Sequence, residues 1–83
     1  MTRKQMAYRI IAANVDTFVF DIDCGDETLT QKSKDELVDM IYNLLLKSSA
    51  SANHFKFLTA EWIKETIVKE FDKACRKWGV TLN

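Results

Sequence analysis

Alternation of apolar and polar positions is clearest over residues 17–24, where Phe18, Phe20, Ile22 and Cys24 interleave with Val19, Asp21 and Asp23. A period of two marks a strand with one buried face. The preceding run, Met6-Ala7-Tyr8-Arg9-Ile10-Ile11-Ala12-Ala13, fits two elements. Its Tyr-Arg-Ile-Ile core and its closeness to the next strand favour a hairpin turned at Asn14-Val15-Asp16. Its Ala, Met and Arg residues also suit a short helix ended by Asn14.

Helical periodicity takes over at Ser33-Lys34-Asp35-Glu36, which fits a capping box with acidic residues in the early turns. At 100° per residue, Leu37, Val38, Met40, Ile41, Tyr42, Leu44, Leu45 and Leu46 cover about 240° of this first helix. Glu36, Asp39, Asn43 and Lys47 form the remaining polar strip. One sheet face cannot cover so wide an arc, so the helix is either central or shared with another chain. A small polar loop at 48–53 leads to a short strand, His54-Phe55-Lys56-Phe57.

The second helix starts with Leu58 before an N-cap Thr59, and Ile63 completes a hydrophobic staple. Ile63, Ile67, Phe71, Ala74, Cys75 and Trp78 form a narrower stripe, with Val68 at its edge. Glu65–Lys69 and Asp72–Arg76 are spaced for i,i+4 ion pairs on the outer face. Gly79 suits a left-handed helix end. The order is β-β-α-β-α, which predicts a small two-layer α+β fold. A three-stranded sheet carries two helices on one face, in a single domain spanning 1–83.

The composition is 47% hydrophobic and 29% charged, which suits a globular chain and excludes a low-complexity tail. The first residues are basic, but the apolar stretch behind them is interrupted at Arg9 and ends at Asn14, too short for a signal sequence. No run approaches the roughly 20 apolar residues of a membrane span, and the expected location is cytoplasmic. Cys24 and Cys75 lie in no metal or redox spacing and read as buried free thiols. Twelve basic and twelve acidic residues cancel, but unevenly: residues 1–44 hold five bases and eight acids, residues 45–83 seven and four. Such a dipolar chain can steer a charged partner or pair with itself.

Phe18-Val19-Phe20-Asp21-Ile22-Asp23 resembles the first motif of the haloacid-dehalogenase phosphatases, in which an apolar strand delivers an Asp nucleophile and a second Asp two residues on. That motif continues with Gly and Thr, where this chain has Cys24-Gly25-Asp26. Those enzymes also draw a Lys and further carboxylates from a full doubly wound domain that 83 residues do not supply. The acidic patch of Asp21, Asp23, Asp26 and Glu27 does not make an EF-hand either. Counting from Asp21, the sixth residue is Asp26 and the twelfth Lys32, where that loop needs Gly and Glu. No metal or other cofactor is expected. His54, the lone histidine, has no nucleophile at a telling spacing.

These features point to a non-catalytic protein-interaction module, a small regulatory or inhibitory protein of the kind mobile elements use. It would act on a protein partner or as a homodimer through Met40, Tyr42, Leu46, Trp62, Lys69 and Lys73. Trp62, set among lysines and off the apolar stripe, has the composition of an interface hot spot or a base-stacking platform. The alternative is a nucleic-acid binder using Trp62, Lys56, Lys64, Lys69, Lys73, Arg76 and Lys77. An enzyme would have to work through Asp21 and Asp23, without a recognisable constellation around them.

Overall fold

The computed structural model describes residues 2–82, the side chains of residues 49–51 excepted. Five helices follow one another: α1 (Arg3–Asp23), α2 (Glu27–Thr30), α3 (Lys34–Lys47), α4 (Ser49–Phe55) and α5 (Ala60–Trp78). Among the described residues there is no strand, so the expected α+β fold with its three-stranded sheet is overturned. The molecule is all helical.

The correction is largest at α1. Both segments read as a hairpin, and the turn between them, belong to one continuous helix. The chain has no proline, and no glycine comes before Gly25, so nothing interrupts the helix. Thr2 opens it with a capping box: the Gln5 N–H donates to Thr2 Oγ1, and the Thr2 N–H donates to Gln5 Oε1. Ala7, Ile11, Val15 and Val19, spaced by four, are each at most 1% exposed. That spacing over four turns outweighs a two-residue alternation confined to the last two. Phe18 and Ile22 are half-buried, while Phe20 is 46% exposed. Asn14 does not end the helix; its Nδ2 donates back to the Ile10 carbonyl. Gly25, with φ of 90°, turns the chain out of α1.

The expected strand at 54–57 is also absent. His54 and Phe55 close α4, Lys56 caps it, and Phe55 is buried in the core at 1% exposure. The expected loop before it is mostly the start of that helix. In α3, Ser33 and Glu36 form the capping box: the Glu36 N–H donates to Ser33 Oγ, and the Ser33 N–H donates to Glu36 Oε1. Hydrogen bonds to it from the Ser33 backbone N–H, and then from the Ser33 side chain, hold the Glu36 carboxyl below its ordinary pKa. In α5 the Trp62 N–H donates to Thr59 Oγ1, and Gly79 takes φ of 68° at the far end.

Cross-helix contacts set the directions. Tyr8 meets Glu70, and Asp16 meets Trp78, so α1 and α5 run parallel. Lys34 pairs with Asp72, and Lys64 with Asp39, so α3 runs against α5. The result is an up-down-up three-helix bundle, with α2 and α4 as its short connecting helices. Its core takes the α1 stripe, Leu37, Val38, Ile41 and Leu45 of α3, Phe55, and Ile63, Ile67, Phe71 and Ala74 of α5.

A continuous α1 predicts a specific cost. Ala13→Gly, at an exposed position in mid-helix, should lower stability by about 1 kcal/mol in urea denaturation. A hairpin turned at Asn14-Val15-Asp16 would leave Ala13 at the edge of the turn, where glycine would cost little.

Candidate functional site

Side by side, parallel α1 and α5 leave a long outer seam. Along α1 it takes Lys4, Gln5, Tyr8, Arg9, Ala12 and Asp16; the stretch from Lys4 to Asp16 is about 18 Å at 1.5 Å per residue. Along α5, Trp62, Lys69, Lys73, Arg76 and Lys77 fall within about 100° of the helix wheel, whereas Glu61, Glu65 and Asp72 share another sector about 40° wide. Asp72 of that acidic sector reaches across to Lys34 of α3 at 2.5 Å. The expected Glu65–Lys69 and Asp72–Arg76 pairs do not form, and among the described residues Arg9, Lys69 and Arg76 have no carboxylate partner.

Glu70 and Asp72 of α5 both border the seam beside Tyr8, Lys69, Lys73 and Arg76, and Glu70 is only 8% exposed. Burying an unpaired carboxylate would be costly. Tyr8 Oη donates to Glu70 Oε2 at 2.6 Å, while Lys73 Nζ lies 3.3 Å from the same oxygen and donates to Tyr8 Oη at 2.5 Å. The hydrogen bond to Tyr8, and then the bond and charge of Glu70, push the Lys73 ammonium above its ordinary pKa. Farther along, Trp78 Nε1 donates to Asp16 Oδ1 at 3.0 Å, and Lys77 lies 3.6 Å from that oxygen. Asp16 and Glu70 are therefore both engaged from within the seam, and Asp72 by Lys34 of α3.

Aromatic rings accompany the cations. Lys4 lies 5.6 Å from the Trp62 ring centroid, and Lys73 lies 5.3 Å from that of Tyr8. At the end of the seam, the Arg3 guanidinium sits 4.3 Å from the centroid of Phe57, whose side chain is 65% exposed. A depression of about 660 Å³ opens beside Trp62, lined by Lys4, Gln5, Tyr8 and Arg9. Trp62 itself is half-buried.

The sequence-derived site residues separate into different places. Trp62, Lys69 and Lys73 share the seam. Met40 lies on α3 beside Asn43, Leu44 and Lys47, and Tyr42 lies beneath Lys64, whose Nζ is 4.9 Å from its ring. Leu37, Val38, Ile41 and Leu45 of the wide α3 arc are enclosed, but Leu44 and Leu46 are 48% and 44% exposed. Two residues apart, they point about 160° away from each other, so they do not form one oily face. Lys4, Tyr8 and Arg9 were missed because a hairpin was favoured for their segment, although the Lys4–Tyr8 and Gln5–Arg9 i,i+4 spacings were available; Glu70 was missed because its partner Tyr8 lies 62 positions away.

The acidic patch sits at the opposite end. Asp21 and Asp23 lie in the last turn of α1, and Asp26 caps α2, accepting from the Leu29 N–H at 3.0 Å; Glu27 follows it. Helical placement removes the strand that a dehalogenase-like nucleophile requires. Among the described residues, no group of three or more His, Cys, Asp or Glu could hold a metal ion. Both cysteines are free; Cys24 is exposed rather than buried, and half-burial raises the Cys75 thiol pKa. Among the described residues, no helix is long and apolar enough to cross a membrane. No family model, curated protein or solved structure matches the chain.

The Tyr8–Glu70–Lys73 network has a titration signature. Because the folded-state pKa of Lys73 is raised, its contribution to stability is present at neutral pH and is lost as pH rises through that value. In Tyr8→Phe, the Lys73 ammonium followed by NMR should titrate at lower pH than in the parent chain. An unchanged titration would mean that the bond does not form.

Proposed function

We propose that this protein is a non-catalytic binding module and that the α1–α5 seam captures an anionic partner. One observation carries the reading: a chain of zero net charge gathers Lys4, Arg9, Lys69, Lys73, Arg76 and Lys77 along one seam, and the acids beside them, Asp16, Glu70 and Asp72, are each already engaged. Field strength at a surface depends on such local arrangement, not on the sum over the chain.

Helix electrostatics support it. Cations at a helix N-terminus and anions at its C-terminus oppose the dipole, each at a cost of about 0.3–1 kcal/mol. α1 carries Arg3 and Lys4 in its first turn, Asp21 and Asp23 in its last, and no compensating charge at either end. Because α5 is parallel, its N-terminus adds its own positive end beside Lys4 and Trp62. Charge placed against the stability of the fold is expected where it serves recognition. A second copy seated on α3 is less well supported, since the exposed leucines face different ways.

The test uses a sulfonate cation-exchange resin at pH 7 and low salt. Despite its zero formal charge, the protein should be retained. Arg9→Glu combined with Lys69→Glu should abolish retention, whereas Lys32→Glu combined with Lys47→Glu, the same change in net charge away from the seam, should largely preserve it. Equal losses in the two variants would refute a localised anion site.

A further inference from the structure

We propose that the anionic partner is a single-stranded nucleic acid, bound with its phosphates on Arg9, Lys69 and Arg76 and with bases stacked on Trp62 and Phe57. The proposal rests on the seam being the binding surface and adds the chemistry of its occupant. Two independent features meet there. The first is the set of cations with no carboxylate partner among the described residues, Arg9, Lys69 and Arg76; Lys69 and Arg76 stand about 10 Å apart along α5, a spacing that suits a chain of charges better than a compact anion.

The second is exposed ring surface at the same end. Phe57, at 65%, is the most exposed large hydrophobic side chain among the described residues, with the Arg3 guanidinium 4.3 Å from its ring centroid. Trp62 borders the depression shared with Lys4 and Arg9. Flat rings beside lysines and arginines are what a strand with unpaired bases can use: each base offers a π-face to a ring while its phosphate meets a cation. An acidic peptide would satisfy the cations but bring nothing that requires flat rings. A duplex keeps its bases stacked inside and would leave Phe57 and Trp62 without a role. Tyr8 is not part of the stacking surface, because its hydroxyl is held between Glu70 and Lys73. Few polar groups are fixed where they could read base edges, so sequence preference should be weak.

The experiment titrates the full chain with three probes: a short oligothymidylate, a duplex of the same length, and polyglutamate of matched charge. Tryptophan fluorescence reports binding. Oligothymidylate should bind most tightly and quench the signal, with quenching kept in Trp78→Phe and lost in Trp62→Phe. Its affinity should fall with salt, with a logarithmic slope of about −0.7 per phosphate contacted. Phe57→Ala, at an exposed site, should keep its circular dichroism yet bind about 5- to 150-fold more weakly, the range for losing one stacked base. Polyglutamate or duplex binding as tightly as oligothymidylate, or an unchanged affinity in Phe57→Ala, would overturn the single-strand proposal while leaving the seam as an anion site. Failure of all three probes to bind would overturn both.

Discussion

The packing of α1 directly along α5 is the constraint from which the rest of this molecule follows. Ala7, Ile11, Val15 and Val19 face a core that includes Ile63, Ile67, Phe71 and Ala74. Full burial of a large aliphatic side chain contributes about 1.5–3 kcal/mol, so these two stripes account for much of what holds a small bundle together. They also decide direction. With α3 as the descending middle helix, α1 and α5 must both ascend, and their N-termini arrive at the same end.

The surface inherits its character from that direction. Parallel alignment brings Lys4 to Trp62, Tyr8 to Glu70 and Asp16 to Trp78 in register. Had the helices run antiparallel, the bases at the start of α1 would lie near the C-terminal end of α5 rather than beside Trp62. Glu70 shows how closely the network depends on this register. A carboxylate at 8% exposure is tolerated there because Tyr8 and Lys73 both meet it. The seam thus combines a satisfied polar floor with cations, Arg9, Lys69 and Arg76, that have no carboxylate partner among the described residues.

Legibility of the sequence varied with how local each signal was. The capping box of Ser33 and Glu36, the Thr59 N-cap and the positive φ of Gly79 are encoded within a few residues, and each forms where the sequence places it. The fold class was misread because Phe18, Phe20, Ile22 and Cys24 alternate over a window too short to separate a strand from two helical turns. The decisive pattern, Ala7 to Val19 in steps of four, starts inside a segment already divided into two elements. Of the site, Trp62 and its neighbouring lysines stood out by composition. Spacings of four from Lys4 to Tyr8 and Gln5 to Arg9 mark a helix, but the meeting of that helix with Trp62 and Glu70, about 60 positions away, is recorded in no local pattern.

The parallel register is tested most directly by a double-mutant cycle between Tyr8→Phe and Glu70→Gln, with stability measured in urea. Residues in contact through one hydrogen-bonded network couple by about 0.5–3 kcal/mol, and the arrangement described here predicts coupling in that range. Strictly additive effects would contradict it, because Tyr8 and Glu70 would then not meet and neither the register nor the seam built on it would stand.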